Sequence, residues 1–182
     1  MSVRFDFTGR KVLVTGASSG IGLGVAAGFA AAGADLTILS STPAIHEAAR
    51  SLPGKVAAIE CDIADAAMVT ERLAGIDRVD VLVNNAGLER PTPLTGANPA
   101  GNATFERIVA INITGTQNVT DTLVGRIPDG GRIILTASIW ARTAVAGFSA
   151  YVASKHANVG LARTWARELG PRRICVNAVC PG

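Results

Sequence analysis

Tyr151 and Lys155 stand four residues apart in Tyr151-Val152-Ala153-Ser154-Lys155. On a helix that spacing puts a phenol and an ammonium on one face, one turn apart. Tyr151 is the only tyrosine of the chain, and Lys155 is one of three lysines. A cation beside a phenol favours the phenolate, so the pair is expected to bring the tyrosine pKa below its reference value of about 10. Such a phenol can exchange a proton with an alcohol or a carbonyl oxygen near neutral pH. Ser138, just past the aliphatic run Ile133-Ile134-Leu135-Thr136, could hydrogen-bond the same oxygen and stabilise charge developing on it. An exposed helical Tyr/Lys pair without function has the same spacing, so the pair acquires meaning only with partners.

Two further turns are candidates for those partners. Thr15-Gly16-Ala17-Ser18-Ser19-Gly20-Ile21-Gly22 joins an aliphatic run to a helical pattern. Glycines let a backbone turn tightly and approach a pyrophosphate, and the following helix N-terminus offers it free N–H groups. The spacing is Gly-x-x-x-Gly-x-Gly, and a tight turn without a ligand is the plain alternative. Asn84-Asn85-Ala86-Gly87 follows another aliphatic run. Its small residues keep a crevice open, and its asparagines can hold neighbouring strand ends; an ordinary turn fits equally well.

The elements that must position these residues alternate along the chain. Strands are expected at 11–15, 36–39, 56–59, 81–83, 133–136 and 174–179. Between them lie helices: one carrying Ile21, Val25 and Phe29 and stopping at Gly33, then 43–50, 65–73, 104–124 and 149–169. A polar loop, 88–102, is rich in Pro and Gly and lies where it could touch a substrate. Strands alternating with helices imply an α/β fold, a doubly wound parallel sheet covered on both faces. Ligands of such sheets sit at the carboxyl ends of the strands.

Composition narrows the classes. The chain has 182 residues, 48% hydrophobic and 17% charged, as one globular domain over 1–182 would. The net charge of +3 is scattered, without a basic stripe, so no nucleic-acid partner is expected. No apolar stretch suits a membrane span or a signal peptide, and the expected location is cytoplasmic. Cys61, Cys175 and Cys180 read as buried or partly buried free thiols, and with His46 and His156 apart from them no metal site is expected.

Taken together, the 15–22 turn, Asp62, the 84–87 turn, Asn112, Ser138, Tyr151, Lys155 and the terminal Pro181-Gly182 resemble the short-chain dehydrogenase/reductase family, in order and over essentially the whole chain. The resemblance implies a Rossmann-like three-layer α/β/α fold of about six strands. The family's C-terminal strand and lid would lie beyond Gly182, where the chain stops. It also implies an NAD(P)-dependent oxidoreductase that interconverts a secondary alcohol and a ketone or aldehyde. Tyr151 would be the general acid/base, with Lys155 lowering its pKa and binding the nicotinamide ribose. Ser138 would orient the substrate oxygen, and Asn112 would hold a water in a proton relay. Gly16, Ser18, Ser19, Gly20, Ile21 and Gly22 would contact the cofactor's phosphates and ribose. Asp62 and Ile63 would flank the adenine, Asn84, Ala86 and Gly87 would line the middle, and Pro181 and Gly182 would touch the nicotinamide.

Cofactor choice stays open between NAD and NADP. The end of the second strand carries Ser40 and Ser41 rather than an acid, which leans to NADP. Leu88, Glu89, Arg90, Trp140, Ala141, Val145 and Phe148 would line a largely apolar substrate pocket by the same resemblance. The family also implies a homodimer through the two long helices. A non-catalytic NAD(P)-binding sensor or scaffold is the competing class, and it would need none of the four reactive residues.

Overall fold

The computed structural model describes residues 5–95 and 102–182, so the middle of the 88–102 loop lies outside the described residues. β1 (Lys11–Thr15) leads into α1 (Gly20–Ala31), then β2 (Asp35–Ser40), α2 (Ala44–Ser51), β3 (Val56–Glu60) and α3 (Ala66–Arg72). The chain returns through β4 (Val81–Asn84), α4 (Ala103–Val109), α5 (Thr116–Leu123), β5 (Arg132–Thr136), α6 (Ser149–Glu168) and β6 (Cys175–Val179). The six strands form one parallel sheet in the order β3-β2-β1-β4-β5-β6. The order reverses between β1 and β4, so the crevice above their carboxyl ends is the natural ligand position.

The central strands are near-continuous apolar runs because both faces are covered. Alternate residues of β4 divide between the faces. Val81 and Val83 pack with Val12, Val14, Ala26 and Ile45 beneath α1 and α2. Leu82 packs with Leu13, Val69, Leu123, Ile133 and Trp165 beneath α3, α5 and α6. Each such fully buried leucine or isoleucine stabilises by roughly 1.5–3 kcal/mol. Short caps set the helix starts: Asp65 accepts from Met68 N at 3.0 Å, and Gly33, at φ +84°, turns the chain after α1.

Two expectations are corrected. The helix expected over 104–124 is not one regular helix: α4 and α5 are joined by a turn of π-helix, Ala110–Gly115. The Thr116 hydroxyl donates to the Asn112 carbonyl at 3.0 Å and the Thr120 hydroxyl to the Thr116 carbonyl at 2.9 Å, back-bonds that deform a helix. The wide turn buries Asn112 fully. Of the thiols, Cys61 is buried, whereas Cys175 and Cys180 on and after the edge strand β6 are exposed. Among the described residues no helix is long and apolar enough to cross a membrane.

Candidate active site

The glycine turn and the 84–87 turn meet above the switch point and are bonded to one another. Gly16 N and Ala17 N donate to Leu39 O at 2.7 and 3.2 Å, which lays the first turn across the end of β2. The Thr15 hydroxyl accepts from Asn85 N and Ala86 N, both at 3.0 Å. The Asn85 amide donates to Thr15 O at 3.1 Å and Gly16 O at 3.2 Å. Gly16 has φ +66°, and a Cβ there would lie 2.6 Å from Ala86 Cα. The Ser18 and Ser40 hydroxyls are 3.0 Å apart, closing the β2 side.

Above these bonds lies a cavity of about 360 Å³ lined by Gly16, Ser18, Ser19, Ile21, Gly22, Ser40, Ser41, Asp62, Ile63, Ala86 and Gly87. Most of the residues expected to hold a dinucleotide therefore share one wall. Among the described residues no side chain caps the N-terminus of α1, and its first turn carries no acidic residue. Its first N–H groups and positive dipole end suit an anion such as a pyrophosphate. Gly20 stands at the start of α1 with φ +56° and open space around it. Asn84 does not line the cavity: it is 4% exposed, and its amide donates to the Thr120 hydroxyl at 2.9 Å. Asn85 takes its place in the lining. Pro181 and Gly182 pack beside Ile139, with Ile139 N donating to Pro181 O at 2.8 Å.

Gly22 tests how tightly this corner is built. A Cβ on it would lie 2.2 Å from Gly16 O and 2.4 Å from the Asn85 amide nitrogen. We expect Gly22→Ala to destabilise by about 2–3 kcal/mol through overpacking. Gly28→Ala, in the same helix and with nothing within 4 Å of its Cβ position, should instead stabilise by up to about 1 kcal/mol. Thermal melts of the two variants check the opposite signs.

The reactive residues gather at the β4–β5 end. Lys155 is 4% exposed and its ammonium donates to Thr136 O at 2.7 Å, at the end of β5. Its nitrogen lies 5.3 Å from the centroid of the Tyr151 ring. The half-buried Tyr151 meets Trp140 edge-on at 5.8 Å, and Trp140 meets Phe148 at 5.5 Å. Ser138, two residues beyond β5, is 9% exposed; its Oγ accepts from Trp140 N at 3.2 Å, and its hydroxyl lies near enough to Tyr151 to favour the phenolate. Asn112 accepts from Leu88 N at 2.7 Å, and its amide donates to Leu88 O at 3.0 Å and to the Ser154 hydroxyl at 2.9 Å. Gly87 sits between them: a Cβ there would lie 3.4 Å from Asn112 Oδ1 and 3.5 Å from Lys155 Nζ.

The electrostatics correct one expectation. The Tyr151 pKa is raised, not lowered: burial penalises the phenolate, the Glu89 carboxylate adds to this, and only the bond with Ser138 opposes it. The Lys155 ammonium is directed at the Thr136 carbonyl and the face of the ring, so its field does not overcome burial. Burial also pushes Lys155 down to about 8, against smaller upward pulls from Cys180 and Glu89.

The chain matches the short chain dehydrogenase family over residues 10–182. This chain belongs to the short-chain dehydrogenase/reductase family. Oxidoreductase UcpA of Salmonella typhimurium is 37% identical over 185 residues, 96% of this chain and 69% of the relative. A short chain dehydrogenase from Burkholderia cenocepacia in complex with NADP is 34% identical with a TM-score of 0.86, over 97% of this chain and 75% of that one. A 3-ketoacyl-(acyl-carrier-protein) reductase from Brucella melitensis complexed with NADH is 30% identical with a TM-score of 0.87, over 97% of this chain and 76% of that one.

By family this chain is thus a Rossmann-type oxidoreductase, and the two solved neighbours hold NADH and NADP. Asn85 holds the end of β1, as the asparagine turn was expected to, through Thr15 O and Gly16 O. Other contacts were not foreseen: the Thr15 hydroxyl accepts from Asn85 N and Ala86 N, Ser154 anchors Asn112, and the Thr136 carbonyl receives Lys155. Ser154 stands inside the Tyr151–Lys155 segment, where the serine itself was the available signal. Arg107, whose guanidinium meets Asp62 at 2.5 Å, had none.

Proposed function

We propose that this chain interconverts a secondary alcohol and a ketone or aldehyde with NAD(P), with Tyr151 as the general acid/base. The observation that supports this most is the meeting of Asn112 and Lys155 at Gly87, with the Lys155 ammonium over the Tyr151 ring, at one end of a crevice that holds the uncapped N-terminus of α1. When bound, the nicotinamide supplies the hydride acceptor or donor. Tyr151 takes the alcohol's proton in oxidation and returns it to the carbonyl oxygen in reduction. Ser138 hydrogen-bonds the same oxygen and holds it beside the phenol. Lys155 uses one of its three donors on Thr136 O and keeps the others for a ribose hydroxyl and the field at Tyr151. Asn112 fixes the Leu88 backbone and Ser154, and so the wall between them.

Trp140 and Phe148 beside Tyr151 favour an alcohol flanked by apolar carbon. At the end of β2 itself Ser40 and Ser41 stand in place of an acid, and with Ser18 they offer hydroxyls, which favours NADP. A homodimer through α4–α5 and α6 accompanies this reading and would cover Phe105, 39% exposed on α4.

The test follows reduced nicotinamide by its near-ultraviolet absorbance, with a panel of secondary alcohols and ketones and with each cofactor. Turnover is expected, with kcat/KM about tenfold higher for NADP, equivalent to about 1.4 kcal/mol. Cofactor binding without turnover on any member would replace the enzyme by a binding module. A strong NAD preference would overturn the NADP assignment alone.

A further inference from the structure

Asp62 stands at the end of the crevice away from Lys155, and both of its carboxylate oxygens are held. Oδ1 accepts from Ala64 N at 3.0 Å, and Oδ2 accepts from the Arg107 guanidinium at 2.5 Å. Arg107 belongs to α4, the helix that continues into the π turn carrying Asn112. The same helical stretch grips the next residue. The Asn118 amide donates to Ile63 O at 3.0 Å, and Gly115 lies so close that a Cβ would be 2.6 Å from Ile63 Cγ1.

The ion pair sits at the rim, with side chains 46% and 32% exposed. Pairs of that kind contribute little to stability, about 0–1 kcal/mol. Its consequence is orientation. An ionised carboxylate accepts about four hydrogen bonds, and two are used here, which leaves acceptor capacity toward the crevice. A dinucleotide with its pyrophosphate at α1 and its reactive ring at Tyr151 and Lys155 puts its other base at the Ser41, Asp62 and Ile63 end. A fixed carboxylate there accepts from an exocyclic amino group and repels a carbonyl in the same position.

We infer that Arg107 is a positioning residue that, by aiming the Asp62 carboxylate, makes the site select a 6-aminopurine over a 6-oxopurine in the dinucleotide. The inference rests on the dinucleotide reading proposed above. It is tested by fluorescence titration with three probes: the reduced adenine dinucleotide, its reduced hypoxanthine analogue, and reduced nicotinamide mononucleotide, which has no second base.

The wild-type chain is expected to prefer the adenine form by about tenfold or more, since a site built around a hydrogen bond rejects an analogue lacking it. Arg107→Ala should cut that preference about fivefold, the worth of one charge-assisted positioning contact, and leave the mononucleotide Kd unchanged. Arg107→Lys, which keeps a cation in reach, should restore most of it. An unchanged ratio in Arg107→Ala, or no base preference in the wild type, overturns the inference alone. A loss of mononucleotide affinity equal to the loss for the adenine form makes Arg107 merely structural and also overturns it. A wild-type chain that binds none of the three probes overturns the dinucleotide reading, and the inference falls with it.

Discussion

Tyr151→Phe is expected to lower kcat by about a thousandfold, within the range for loss of a positioned acid/base, while cofactor affinity stays within about twofold. The substitution removes only the phenolic oxygen. The ring keeps its edge-on contact with Trp140 at 5.8 Å and its place beneath the Lys155 ammonium, so the walls of the site should stand. The pH dependence has a sign that follows from the raised Tyr151 pKa. The phenol is protonated through neutral pH, the form that donates to a carbonyl oxygen. Reduction should therefore be flat near neutrality and fall as pH rises toward the phenol's pKa. Oxidation needs the phenolate and should climb over the same interval. Measured kcat/KM profiles in both directions should diverge in this way for the wild type, and Tyr151→Phe should lose the divergence. Turnover that survives the substitution unchanged would remove Tyr151 from the chemistry.

The opposite slopes matter because the local environment, not the helix spacing, sets this pKa. The spacing of Tyr151 and Lys155 correctly puts the two side chains on one face. It contains nothing about where the ammonium ends, and the Thr136 carbonyl that receives it belongs to another element. Burial and the Glu89 carboxylate then raise the pKa of a phenol whose neighbouring cation stands over its ring, 5.3 Å from the centroid.

Most of the fold was legible for a local reason. Parallel strands covered on both faces must be apolar throughout, so β1, β2, β4 and β5 stand out as short aliphatic runs bounded by glycine, asparagine and serine. The π turn was not legible. It depends on Thr116 and Thr120 bonding back to carbonyls and on Asn112 reaching Leu88 and Ser154, and neither leaves a pattern in the run 104–124. Asn84 is an intermediate case. It lies two residues after Leu82 on β4, and the two-residue period of a strand turns it to the face of α5, where Thr120 receives it. Applied to the end of the strand, that alternation separates Asn84 from the crevice-lining Asn85 before any coordinates are known. The Arg107–Asp62 pair spans 45 residues and two elements, and only the assembled sheet brings it together.

Lys155→Met should abolish most activity and yet raise stability at neutral pH. The wild-type ammonium is 4% exposed, and burial holds its pKa at about 8 against 10.5 for an ordinary lysine. That difference corresponds to roughly 3 kcal/mol by which the protonated side chain disfavours the native state at pH 7. Methionine fills similar space without charge. It forfeits the bond to Thr136 O, a loss of about 1 kcal/mol. The net gain is about 2 kcal/mol, or a Tm higher by about 4–8 °C for a chain of this length. The sign reverses with pH in a defined window. Between about 8 and 10.5 the unfolded wild type binds more protons than the folded one, so wild-type stability rises through that interval. The advantage of the variant is therefore full below about pH 8 and gone near 10.5, where only the lost hydrogen bond remains. Melts of both proteins across that range, beside kcat/KM at neutral pH, test the argument. A variant less stable than wild type at pH 7 would mean that the Thr136 bond outweighs the cost of burial. Stability gained together with activity lost by about a hundredfold or more is the result expected of a cation kept in an apolar place for the charge it presents to the crevice.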